Sequence, residues 1–272
     1  MKNFLFGVLL FSVFSFGQVD QKKALNIGDI ITLKSTILAE HRNINIVLPN
    51  NYQIDEDLKY DVIYLLDGSL NEDLFHVSGL VQFFNLQFKM PETIIVGISN
   101  LDRKHDFTFP TEDSELKKDF PTTGGSEKFI EFIEKELQPF INSNYRTNGT
   151  NYLIGQSLGG LLATEILIKK PNLFSHYLIT SPSLWWDNQS LLELGKQVLP
   201  KNNYSEKYIY LAVGQQEHKI MVKDAKSLAL LLSKIKTKKT DFVIFPEENH
   251  ATILHNSLYK AFSLLFPFTE NK

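Results

Sequence analysis

The pentapeptide Gly155-Gln156-Ser157-Leu158-Gly159, extended by Gly160, has the residue types and spacing of a reactive serine turn. It follows the strand Tyr152-Leu153-Ile154 and opens the helix Leu161–Ile168. A serine on a tight strand-to-helix turn forces the residues two places either side of it together. Glycine at those places relieves the crowding and leaves the hydroxyl exposed. The competing reading is a glycine-rich turn that only packs a helix on a strand. A phosphate-binding loop fits less well, because the Lys of G-x-x-x-x-G-K is absent.

A serine hydroxyl becomes a nucleophile only beside a base, and the base needs an orienting group. After a serine of this type the acid comes first along the chain and the histidine second. Of the seven histidines, His41, His76 and His105 precede Ser157, His176 starts an apolar strand, and His255 falls inside the last helix. His250 ends the loop Pro246-Glu247-Glu248-Asn249-His250 after the run Phe242-Val243-Ile244-Phe245, and is the expected base, with His218 as second candidate. Glu217 is the first acidic residue past Tyr208–Val213 and the expected orienting acid, with Asp224 and Asp187 as alternatives. Acyl transfer also needs donors for the tetrahedral oxyanion. The expected donors are the backbone N–H of Leu158, directly after the serine, and that of Ser69 in Leu65-Leu66-Asp67-Gly68-Ser69. Asp67 precedes the serine and is read as fixing its own loop.

The elements that must position these groups alternate in type. Strands are expected at Ile30–Ala39, Ile44–Leu48, Val62–Leu66, Thr93–Ile98, Tyr152–Ile154, His176–Ile179, Tyr208–Val213 and Phe242–Phe245. The first two suit an antiparallel pair. From Val62 onward the strands are short continuous apolar runs, as in a parallel sheet covered on both faces. Helical spacing appears in Phe129, Ile130, Ile133, Leu137, Phe140 and Ile141, in Val222–Ile235, and in Ile253, Leu254, Leu258, Ala261, Phe262 and Leu265. The class is α/β, with about eight strands in one mostly parallel sheet. Asn100–Gly125 is long, polar and aperiodic, and is read either as a lid or substrate loop or as a surface insertion.

Composition sets the remaining bounds. The chain has 272 residues, 43% hydrophobic and 22% charged, with 28 basic against 31 acidic side chains and a net charge of −3. That balance describes a globular protein and lacks the basic footprint of a nucleic-acid binder. Lys2 precedes the apolar stretch Phe4–Phe16, whose 13 residues fall short of the roughly 20 needed to span a bilayer. With Ser15 and Gly17 before Gln18 it reads as a leader over residues 1–17, leaving one domain over 18–272, exported to the periplasm or secreted. No further stretch is long and apolar enough for a membrane span in the mature chain. The chain has no cysteine, which excludes disulfides, thiol chemistry and cysteine-ligated zinc. His250 and His255 are five apart, off the i, i+4 face of a zinc helix, so no metal is expected.

Asp67-Gly68, Arg103-Lys104-His105-Asp106, Gly155–Gly160, Ser181-Pro182-Ser183-Leu184-Trp185-Trp186, Val213-Gly214 with Glu217, and Asn249-His250 together resemble the putative-esterase family of α/β-hydrolases. Within that family the likeness is greatest to the enterochelin- and bacillibactin-esterase branch. The resemblance implies an α/β-hydrolase fold and serine-esterase chemistry without a metal or cofactor, acting on a small-molecule ester. It supports Ser157 and His250 directly and Glu217 less strongly. It also aligns Arg103 with a loop arginine facing an anionic substrate. From the residues alone, Arg103 fits either a bidentate contact to a substrate carboxylate or a surface ion pair. Trp185 and Trp186 fit either an aromatic wall for an acyl or catechol group or a packing contact between loop and sheet. The expectation is an exported ester hydrolase. Its rivals are an acyltransferase using the same acyl-enzyme and a binding protein on a hydrolase scaffold.

Overall fold

The computed structural model describes residues 21–268 apart from 55 and 89, so the leader expected over residues 1–17 lies outside the described residues. Eight strands form one sheet in the order β1-β2-β4-β3-β5-β6-β7-β8. They are β1 (Asp29–Ser35), β2 (Glu40–Val47), β3 (Tyr60–Leu65), β4 (Thr93–Ile98), β5 (Thr147–Gln156), β6 (His176–Thr180), β7 (Tyr204–Gly214) and β8 (Thr237–Phe245). β2 pairs antiparallel with β1 and with β4, and every other pairing is parallel. The α/β-hydrolase expectation therefore holds in class, strand number and direction.

The alternation of side chains along each strand assigns the two faces. Val62, Tyr64, Leu153, Ile179 and Leu211 point to one side. There they meet α4 (Ser126–Phe132), α6 (Leu158–Lys169), α7 (Ser190–Val198) and neighbouring helical turns. Ile63, Leu65, Ile154, Tyr210 and Ala212 point to the other side, against α1 (Leu74–Gln87) and α9 (Ile253–Leu265). Helix α6 is buried from Leu158 to Ile168, which is why the run is apolar apart from Thr164 and Glu165, whose side chains bond to Gly160 O and to Lys169. Among the described residues no helix is long and apolar enough to cross a membrane.

Several boundaries differ from the sequence expectation. The strand expected to continue to Ala39 breaks after Ser35, where Glu136 accepts hydrogen bonds from the N–H of Thr36 at 2.8 Å and of Ile37 at 3.1 Å. Ala39 turns with φ 56° and β2 begins at once. Asn100–Gly125 is not structureless. It holds two short helices, α2 (Arg103–Asp106) and α3 (Ser114–Asp119), capped by the side chains of Asp102 and Asp113. A buried ion pair between Arg42 and Asp106 at 2.6 Å ties α2 to β2. The polar residues that hid these helices are the ones capping and anchoring them.

Candidate active site

The turn at Ser157 has the geometry that its glycines imply. Ser157, between β5 and α6, holds φ 60° and ψ −119°, a conformation L-residues avoid. A Cβ on Gly155 would lie 2.4 Å from the carbonyl oxygen of Gly159, so the two glycines two places either side of the serine do crowd together. On Gly160 a Cβ would lie 2.9 Å from Cα of Pro182, where the helix start passes the loop after β6. The strain is held by Ser157 N–H donating to the Thr180 carbonyl at 3.2 Å, while the Ser157 carbonyl accepts from Ser183 N–H at 3.0 Å and Leu161 N–H at 2.9 Å.

His250 lies in the loop after β8, and its Nε2 is 3.0 Å from Ser157 Oγ. Its Nδ1 is 2.7 Å from Oε2 of Glu217, in the loop between β7 and α8 (Lys219–Leu232). With Nδ1–H donating to the carboxylate, Nε2 is free to accept the serine proton. The structure thus brings Ser157, His250 and Glu217 together over the carboxyl ends of β5, β7 and β8. The alternatives lie elsewhere. His218 accepts the Ile220 N–H at the start of α8, Asp187 accepts from Thr111 Oγ1 at 2.7 Å, and Asp224 is buried on α8.

The Glu217 side chain is fully buried. Burial acts to raise its pKa, and the hydrogen bonds from His250, Ser181 Oγ and the Gly214 N–H (2.8 Å) outweigh it, holding the carboxyl below its ordinary range. One carboxylate oxygen takes Ser181 and Gly214 and the other is left for the imidazole. Ser181 is itself bent to φ 45°. Ser183, 2% exposed, places its Oγ 3.4 Å from that of Ser157. Both serines lie in the Ser181–Trp186 segment of the resemblance, which gives neither of them a role. The signal for them is positional: β6 lies between the strands that lead to Ser157 and Glu217, so the loop after it runs between both groups.

The oxyanion side is more crowded than expected. Leu158 opens α6, where N–H groups have no intrahelical acceptor. In the loop after β3, Gly68 N–H donates to Ile98 O at 3.0 Å and Ser69 N–H donates to Glu72 Oε2 at 3.0 Å. Gly68 is required there, since a Cβ would lie 2.4 Å from Cα of Gly97.

The remaining candidates separate. Arg103 forks Asp67, Nε to Oδ1 at 2.6 Å and Nη2 to Oδ2 at 2.8 Å, and Nη2 also reaches Gln156 O at 3.2 Å. Its strongest bonds are therefore within the protein, and Nη1 is the nitrogen outside the fork. Trp186 is fully buried and donates Nε1–H to Phe109 O at 2.9 Å, so the wall reading fails for this indole. It packs the Asn100–Gly125 segment onto the sheet. Trp185 is half-buried. Among the described residues no group of three His, Cys, Asp or Glu converges to hold a metal.

The esterase family described as "Putative esterase" matches residues 35–252. Ferri-bacillibactin esterase BesA of Bacillus subtilis is 32% identical over 222 residues, 72% of this chain and 75% of that protein. An IroE-like serine hydrolase from Shewanella oneidensis superposes with a TM-score of 0.79 at 33% identity, covering 88% of this chain and 80% of that one. The BES protein from Bacillus cereus superposes at 0.77 with 32% identity, over 89% and 97% of the two chains. The chain therefore belongs to the putative-esterase family and is a carboxylic-ester hydrolase on the α/β-hydrolase fold.

Proposed function

We propose that this chain is an exported hydrolase of siderophore-type esters, working through an acyl-enzyme on Ser157. The observation that carries the chemistry is the unbroken contact from Ser157 Oγ to His250 at 3.0 Å and from His250 to Glu217 at 2.7 Å. The substrate class rests on the naming of BesA as a ferri-bacillibactin esterase at 32% identity. Export rests on the leader-like residues 1–17, followed by one catalytic domain over 18–272.

Ser157 Oγ bonds to the ester carbonyl carbon and its proton passes to His250 Nε2. The carbonyl pair moves onto oxygen, where the N–H groups of Leu158 and Ser69 receive the charge. Collapse re-forms the carbonyl and breaks the bond to the alkoxy oxygen, which takes the proton from His250. Water then attacks the acyl carbon, giving a proton to His250, and the acid leaves as Ser157 recovers that proton. Glu217 fixes the tautomer and balances the imidazolium throughout. Trp185 and Arg103 Nη1 line the approach to the ester.

A p-nitrophenyl ester chain-length series run beside a ferric-siderophore tri-ester tests this reading. The tri-ester should give the higher kcat/KM by orders of magnitude, and Ser157→Ala should abolish both activities. A short-chain ester that outruns the tri-ester would overturn the substrate class. Product analysis with added alcohol separates hydrolysis from transfer to another acceptor.

A further inference from the structure

The loop after β3 has two amides that could meet an oxyanion, and both are already bonded. Gly68 N–H is held by Ile98 O at 3.0 Å, a backbone contact that fixes the loop to β4. Ser69 N–H is held by a side chain, Glu72 Oε2 at 3.0 Å. The second donor of the hole is therefore open only when the Glu72 carboxylate leaves it.

That carboxylate is exposed, and in the proposed Leu158/Ser69 hole it stands where the transition state develops negative charge. Its other oxygen accepts from Asn100 Nδ2 at 2.7 Å, and the same Asn100 nitrogen reaches Asp67 Oδ1 at 2.6 Å. Arg103 neutralises Asp67 by its fork, whereas among the described residues no fork of that kind reaches Glu72, which feels Arg103 only at longer range. Negative charge is crowded here: burial, followed by the charges of Asp67 and Glu72, pushes the Asp73 carboxyl up to about 6. A carboxylate and an oxyanion compete for one N–H, and they repel each other while doing so.

We infer that Glu72 is a specificity-determining residue that closes the second oxyanion donor until a hydrogen-bond donor on the substrate draws its carboxylate away. The favoured substrates are esters with an amide N–H, hydroxyl or ammonium group close to the scissile carbonyl. Esters lacking such a donor meet a half-formed hole. This rests on the serine-hydrolase reading and adds to it a chemical class of acyl group.

The test compares two activated esters on wild type, Glu72→Ala and Glu72→Gln. 4-Nitrophenyl acetate has no donor, whereas the 4-nitrophenyl ester of N-acetylglycine has an amide N–H beside the reacting carbonyl. Glu72→Ala should raise kcat/KM on the acetate by about tenfold and change it less than about twofold on the N-acetylglycine ester. Glu72→Gln, which keeps an acceptor but not the charge, should raise the acetate rate by less. Equal acceleration of both esters, or none on the acetate, overturns the inference. So does loss of fluorophosphonate labelling in Glu72→Ala with wild-type labelling in Glu72→Gln, since Glu72 would then only brace the turn. If wild type and Ser157→Ala turn over both esters alike, the serine-hydrolase reading itself falls. If only the Glu72 variants fail to respond, that reading stands and this inference does not.

Discussion

The side-chain amide of Gln156 donates to the carbonyl oxygen of His250 at 2.6 Å. The residue before Ser157 thus holds the backbone of His250, the residue proposed to take its proton. β5 and β8 are separated in the sheet by β6 and β7, so the loop after β8 folds back over the strand ends to make this contact. The contact ties the Ser157 turn to the His250 loop beside the 3.0 Å approach of His250 to Ser157.

Gln156→Ala should therefore lower kcat by about tenfold with little change in KM, because misplacement of the base affects the transition state more than substrate binding. Steady-state kinetics on 4-nitrophenyl acetate checks this. An unchanged kcat would mean that the loop after β8 is positioned without the amide.

Ser181→Ala removes one of the donors that hold the buried Glu217 carboxylate in its ionised form. The expected cost is about 1–2 kcal/mol of folding stability at neutral pH, read as a shift in the urea midpoint, together with a fall in kcat. The pH dependence has a definite sign. The folded-state pKa of Glu217 lies below its ordinary value, so its contribution is full above that value and is lost as the pH falls through the folded pKa. The gap between wild type and Ser181→Ala should narrow in the same direction.

Much of this site is legible in the chain because its signals are local. The glycines around Ser157 report a steric requirement confined to five residues, and the order acid then histidine narrows the partners to loops after known strands. What binds those loops together is not local. Ser181 reaches Glu217 across 36 positions and Arg42 reaches Asp106 across 64, and neither pair leaves a spacing to read. Helix α1 escaped for another reason. Phe75 and Phe83 remain exposed while Leu74, Val77, Val81 and Phe84 are buried, so its apolar residues run round the helix without a clean stripe.

The fork between Arg103 and Asp67 joins the loop after β4 to the loop after β3 and, through Gln156 O, to the elbow. Arg103→Met should leave the largely buried Asp67 carboxylate without its cation, held by Asn100 alone, and destabilise the fold by about 1–3 kcal/mol. The double variant with Asp67→Asn should regain most of that loss, because the orphaned charge is gone. Chemical denaturation of the four proteins closes the cycle. Losses that simply add would show that the fork does not couple the loops.

His176 opens β6 away from the site, stacked on Tyr152 at 4.2 Å between ring centroids. Burial, followed by the charges of Lys238 and Lys207, lowers its pKa to about 4. For a histidine depressed in the folded state, stability is full above the unfolded value and is lost as the pH falls toward the folded one. Between pH 6.5 and 4 the fold should lose of the order of 3 kcal/mol through this residue. His176→Phe, which keeps the stack, should flatten that part of the stability profile measured by thermal melts. His76, lowered to about 4 by burial and then His255, contributes in the same window and is common to both proteins.

The most direct test is to trap the acyl group. Wild type mixed with 4-nitrophenyl acetate and quenched with acid should carry one acetyl group per chain, located by peptide mass mapping on Ser157. Ser157→Ala should carry none, and His250→Ala should acylate far more slowly. An acetyl group found on another residue, or turnover that survives Ser157→Ala, would contradict the assignment of the nucleophile.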